Sequence, residues 1–176
     1  AVSSDSILVE RKLDDLRYLI EHYDYGSATL IIRNILQKYP NLPNSLQNKF
    51  KNALSVCQAF DSWDKFAHNE SYDMIQLFSK ELLTYKFFIE AVITERKFID
   101  KSFKNDFVNT KSTSFELVQD IILNAERRAI QGRFDDAVAR LYRALELFAQ
   151  LYLKKYFNIE TGNLDLSEFS EEVKQK

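Results

Sequence analysis

The chain is 176 residues long, 45% apolar and 28% charged, with a formal net charge of −2. This size suits one domain with a sizeable core, with or without an appendage, and the apolar content excludes a disordered tail. The balanced charge excludes a global pull on nucleic acid, so any binding of that kind must be local.

A lone cysteine, Cys57, excludes an intrachain disulfide framework. It fits a reducing compartment, and the thiol is read as a buried packing group. Neither a basic-plus-apolar leader nor a run long enough to span a bilayer is present, so a cytoplasmic protein without a membrane partner is expected. The start AVSSDS, which lacks Met, points to a piece of a longer protein.

From Asn44 to Gln131 there is neither glycine nor proline; the glycines are Gly26, Gly132 and Gly162, and the prolines Pro40 and Pro43. A β-sheet protein needs turn chemistry far more often. The fold expected is all-α, a compact bundle of about seven helices in a single domain over 1–176.

The first helix is placed at Ser6–His22, with Val9, Leu13, Leu16 and Ile20 as its core stripe. DYGS reads as a turn. The second helix is placed at Ser27–Lys38, through Leu30, Ile31, Ile35 and Leu36, and ends at YPNLPN because proline lacks a backbone N–H. Ser45 is the expected cap of the third helix, which carries Leu46, Phe50, Ala53, Cys57 and Phe60. The chain turns again near WDKFAHNES. The apolar stretch from Tyr72 to Ile99 contains two helices or one bent helix, with no break marked by composition.

Residues 102–114 are rich in Ser, Thr, Asn and Lys and read as a mobile internal loop. The loop ends in a capping box, Thr113 to Glu116. The sixth helix is expected to bury Val118, Ile121, Ile122, Ala125 and Ala129 and to end at Gly132, where a left-handed residue costs glycine least. The seventh helix is placed at Asp135–Tyr156, its core stripe Val138, Leu141, Leu145, Phe148 and Tyr152. Residues 158–176 form a polar tail with one short helix near Ser167. A faint internal echo pairs Tyr25, Ala28, Ile32 and Ile35 with Phe134, Ala137, Leu141 and Ala144, a repeat-like pattern of helical hairpins.

Chemistry-bearing residues are sparse. Arg17 and His22 have the loose Arg-then-His spacing of HEPN-type ribonucleases, in which His assists proton transfer and Arg stabilises phosphate charge. Five helical steps put them about 140° apart, however, and a solvated Arg beside a helix-end His explains them as well. His68, with Asp64 and Glu70 nearby in sequence, reads as a turn residue rather than a metal ligand. No metal site, cofactor site or catalytic group is expected.

The stretch Asn124–Leu147, NAERRAIQGRFDDAVARLYRALEL, carries five arginines. Pairing of Asp136 with Arg140 and of Arg143 with Glu146, and the position of Arg127 and Arg128 near a helix C-terminus, give each a structural role. Arg128, Arg133 and Arg140 are the candidates for a local RNA-binding patch, should they converge across the hairpin.

The same stretch, extended through FAQLYL and YFNIETGNLDLSEF, resembles the C-terminal helical region of a CRISPR-associated family; WDKFAHNES and YDYGSA fit it too. These are the CARF–HEPN ancillary proteins of type III CRISPR systems. The resemblance implies antiviral defence by a metal-independent endoribonuclease that cyclic oligoadenylate activates through a CARF sensor. It also implies a possible homodimer and possible RNA contact in the full-length protein. The glycine-bearing sensor and the family's Arg-Asn…His motif do not appear in this chain. It is therefore expected to be an inactive fragment, with cyclic oligoadenylate acting only through a missing sensor. The alternative is a non-catalytic, tetratricopeptide-like helical interaction module.

Overall fold

A computed structural model describes residues 4–102, 115–157, 159 and 161. Over these the protein is an all-α bundle of seven helices with no strand: α1 Ser4–Glu21, α2 Tyr25–Lys38, α3 Asn44–Asp64, α4 His68–Ile75, α5 Leu83–Ser102, α6 Glu116–Ile130 and α7 Phe134–Phe157. Of the expected loop at 102–114, Ser102 instead ends α5 and the rest lies outside the described residues, as does most of the expected tail at 158–176.

Each helix packs mainly on its neighbours in sequence, and the core has three parts. Leu16, Ala28, Ile32, Ile35, Phe50 and Cys57 join α1, α2 and α3. Ala59, Trp63, Ile75 and Ile89 join α3, α4 and α5. Ile99, Val118, Ile121, Ala144, Leu147 and Leu151 join α5, α6 and α7. Two of the three cores draw on α3, so its C-terminal end lies where they meet.

Several starts differ from expectation for local reasons. α2 begins at Tyr25 because Asp24 caps it, its carboxylate accepting from the Ser27 N–H at 3.1 Å. Ser45 is not the cap of α3; Pro43 holds that position without a side-chain bond, and Ser45 lies in the first turn. On α2 the buried face is Ala28, Thr29, Ile32 and Ile35, while Leu30 is exposed. On α1, Leu16 is buried but Leu13 and Ile20 are largely exposed. The long apolar stretch breaks after Ile75, in a 3₁₀ turn at Gln76–Phe78, without glycine or proline.

Thr113 of the expected capping box lies outside the described residues. Phe115, at φ 65°, precedes α6 and makes no side-chain cap. α5 caps the helix from outside: the buried Glu95 carboxylate accepts from Phe115 N at 2.8 Å and from Leu117 N at 2.6 Å. An anion here answers the orphan amides and the positive end of the helix dipole together. Ile122, expected in the core, is exposed.

The largest correction concerns α7. Its expected core stripe of Val138, Leu141, Leu145, Phe148 and Tyr152 faces outward, Val138 at 65% and Leu145 at 72% exposure. The buried face is Ala137, Ala144, Leu147 and Leu151. Small alanines let α6 approach closely, and Arg140, on the same face, reaches across to α6. The hairpin bends at Gly132, φ +73°, where Gly132 N bonds Ala129 O at 2.9 Å and Arg133 N bonds Arg128 O at 2.9 Å. The echo between α2 and α7 survives in Ala28 and Ala137, both buried, and fails at Ile32 and Leu141, the one buried and the other exposed.

Candidate functional site

The C-terminal end of α3 presents carbonyls with no partner in their own helix. α6 supplies the partners. Arg128 Nη2 donates to the Asp64 carbonyl at 2.9 Å, and Asn124 Nδ2 donates to it at 3.2 Å. Arg127 Nε donates to Asp64 Oδ1 at 2.6 Å. Cations at a helix C-terminus are favoured by the dipole, and here they also match a nearly buried carboxylate.

A second carboxylate, Asp136 at the start of α7, gathers the other arginines. Arg140 Nε lies 2.8 Å from Asp136 Oδ1, Arg133 Nη2 lies 2.8 Å from Oδ2 and Arg128 Nε lies 3.7 Å from Oδ2. Arg140 Nη1 donates to Asn124 Oδ1 at 2.5 Å, and its guanidinium sits 5.0 Å over the Phe66 ring. Gln131 closes the network, accepting from Arg128 Nη1 and donating to Tyr23 O, both at 2.9 Å.

The hydrogen bond from Arg140, followed by the fields of Arg140, Arg133 and Arg128, holds the Asp136 carboxyl below its ordinary value. Burial pulls the Arg128 guanidinium below its usual range, against the pull of Asp64.

Arg128, Arg133 and Arg140 therefore do converge, around a cavity of about 600 Å³. Asp24, Asp61 and Asp64 line the same cavity. Only Arg133 of the three is exposed; Arg128 and Arg140 are committed to the fold. The Asp136–Arg140 and Arg143–Glu146 pairs form as their spacing predicts, the latter at 2.7 Å.

His68 is not a turn residue. It opens α4, is 3% exposed, and its Nε2–H donates to Asp120 Oδ2 at 2.9 Å. Asp120 Oδ1 accepts from Trp63 Nε1 at 2.7 Å. A carboxylate only accepts, so the imidazole proton lies on Nε2, and Nδ1 faces Arg96 Nη1 at 3.5 Å. Asp120, fully buried, thus ties α3, α4 and α6 together. The two ring nitrogens of His68 face Asp120 on one side and Arg96 on the other, within the packed core.

Arg17 and His22 are not brought together. His22 Nδ1 donates to Tyr18 O at 2.8 Å and its ring stacks on Tyr18 at 4.0 Å, and no hydrogen bond or ion pair links it to Arg17. Among the described residues no three His, Cys, Asp or Glu side chains converge for a metal ion, and no helix is long and apolar enough to cross a membrane. Cys57 is buried, and burial pushes its thiol up to about 11.

Asp120 and Glu95, and the roles of Asp64 and Asn124 at this junction, do not stand out in the sequence. A signal existed in α6: Asp120, Asn124 and Arg128 recur at four-residue steps beside Val118, Ile121 and Ala125, a polar ridge along an apolar face.

The fold and this network define an all-α helical bundle whose last hairpin is locked onto α3 by arginine–carboxylate contacts. Residues 106–176, which include all of α6 and α7, match the family described as the Csm6 HEPN domain, consistent with a CRISPR-associated, HEPN-containing family. No curated protein and no solved structure matches the chain.

Proposed function

We propose that this chain is the helical, HEPN-type portion of a CRISPR-associated endoribonuclease that works in antiviral defence and is switched on by cyclic oligoadenylate. The observation that carries the reading is the match of residues 106–176 to the Csm6 HEPN domain. It falls on the hairpin whose arginines fasten α6 and α7 to the rest of the bundle. In this reading the helices are the rigid frame of the nuclease, and cyclic oligoadenylate acts through a sensor domain outside them. No RNA-cleaving step is assigned to His68, which ties Asp120 to α4, or to His22, whose Nδ1 bonds Tyr18 O.

The frame operates as a homodimer through the outward apolar face of α7. RNA contact by the arginine cluster is local and weak: all three arginines already pair with carboxylates, and Arg133, the exposed one, reaches a phosphate only in competition with Asp136.

The test is RNA cleavage by the full-length protein, with and without cyclic oligoadenylates of several ring sizes. Cleavage that appears only with one of them, and persists in chelator, is the expected result. Absence of cleavage with every ring size would remove the reading. For the chain alone, single-stranded RNA binding weaker than about 1 μM at physiological salt is expected, reduced further by Arg133→Ala.

A further inference from the structure

A second cavity, of about 720 Å³, opens between α2, α3, α5 and α6 and adjoins the arginine cluster's cavity, with which it shares Tyr23, Tyr25 and Asp64. Its wall is a row of rings. Tyr25 stacks on Phe60 at 5.3 Å, Phe60 on Trp63 at 6.0 Å and Trp63 on Phe88 at 5.9 Å. Tyr85, half exposed, meets Phe60 edge-on at 5.1 Å. A volume of this size and an aromatic wall suit a compact organic ligand.

The charged groups decide its sign. Asp64 is matched by Arg127 and Arg128, and Asp120 by Trp63 and His68. Arg127, the one cation lining this cavity, is in turn matched by Asp64. Glu81 and Glu126 remain: both are exposed, both line the cavity, and neither joins an ion pair among the described residues. Two uncompensated carboxylates beside aromatic rings repel an anion and attract a cation, whose charge also interacts favourably with ring faces.

We infer that this cavity is a binding site for an organic cation with an aromatic or branched apolar body, a primary or quaternary amine whose charge sits at Glu81 and Glu126 and whose body lies against Phe60 and Tyr85. The inference goes beyond the ribonuclease reading and does not depend on it. A nucleotide is disfavoured, because its phosphate would meet the same carboxylates.

Trp63 is the only tryptophan in the chain and part of this wall, so its fluorescence reports occupancy directly. The experiment titrates the chain with phenethylammonium and benzyltrimethylammonium, and in parallel with neutral 2-phenylethanol, anionic phenylacetate and adenosine monophosphate. The cations should give a saturable change at about millimolar concentration or below, weakening as salt rises. The neutral probe should bind at least about threefold more weakly, and the anions not measurably. The double variant E81Q/E126Q, at exposed positions, should erase the preference for cation over neutral while leaving helicity unchanged. Tyr85→Ala should weaken all apolar probes alike. No saturable change with either cation, anions that bind as well as the cations, or a cation preference that survives E81Q/E126Q would each overturn the inference.

Discussion

At the residue scale the protein is held by a few polar side chains in the places where its helices meet. Asp120 is the most consequential. It is fully buried and accepts from Trp63 and His68, which come from two other helices. Removing a shared acceptor strands two buried donors, each costing about 1–3 kcal/mol. Asp120→Ala should therefore lose about 2–5 kcal/mol in urea unfolding, with a shift in Trp63 emission already in the folded state. A loss under about 1 kcal/mol would show that water replaces the carboxylate at little cost.

Asp136 gives the molecule a pH dependence. Its folded carboxyl lies below the ordinary 3.8, so its contribution is complete above that value and is lost as pH falls through the folded value. The stability difference between the protein and Asp136→Asn should stay level above about pH 5 and shrink below about pH 4. Denaturant unfolding of both proteins across that range checks it; a difference still at full size near pH 2 would show that the arginines do not lean on this carboxylate. The local pairs of this cluster were legible in the sequence, because Asp136 and Arg140 stand one turn apart. Asp64, 63 positions before Arg127, was not, since nothing in a local pattern says which helix end lies across from an arginine.

At the element scale, the helices are written in the chain far more clearly than their faces. The long absence of glycine and proline announces helix, and Gly132 announces its end. Which stripe is buried depends on what packs against it. α7 carries apolar residues on two adjoining seams, and packing chose the one with Ala137 and Ala144 because it admits α6 more closely. The break after Ile75 is equally silent, lacking a glycine or proline to mark it.

The cap that α5 gives α6 is silent in the sequence for a related reason: Glu95 stands twenty residues before Phe115. Glu95→Gln keeps one acceptor and turns an amide donor toward a backbone N–H, so about 1–3 kcal/mol should be lost. Hydrogen exchange at Phe115 and Leu117 should quicken before the rest of α6. Uniform acceleration along the helix would mean that the cap holds the whole fold rather than its first turn. At the other end, Gly132→Ala meets open space but must keep φ near +73°, so the cost is conformational, about 1 kcal/mol, read as a lowered Tm.

At the scale of the whole molecule, the unused seam of α7 is the feature that asks for a second copy. Phe134, Val138, Leu141, Leu145, Phe148 and Tyr152 alternate steps of four and three residues, and each is at least 42% exposed. That spacing is the one by which two helices interlock along a shared line. It runs for most of α7, and a twofold axis lets one stripe pair with itself. A helix apolar on two sides is usually covered on both. The inner side is covered by α5 and α6; the proposed homodimer sets α7 of a partner copy against the outer side. The protein should sediment as a dimer with a Tm that rises with concentration. Leu145→Glu, at a position 72% exposed in one copy, should cost the isolated monomer under about 0.5 kcal/mol yet place a charge in the dimer seam. The variant should be monomeric, with unchanged helicity and a Tm independent of concentration. A Leu145→Glu protein that remains dimeric would move the interface off α7, and a wild-type protein that is monomeric at tens of micromolar would remove the dimer from the proposed function while leaving the fold as described.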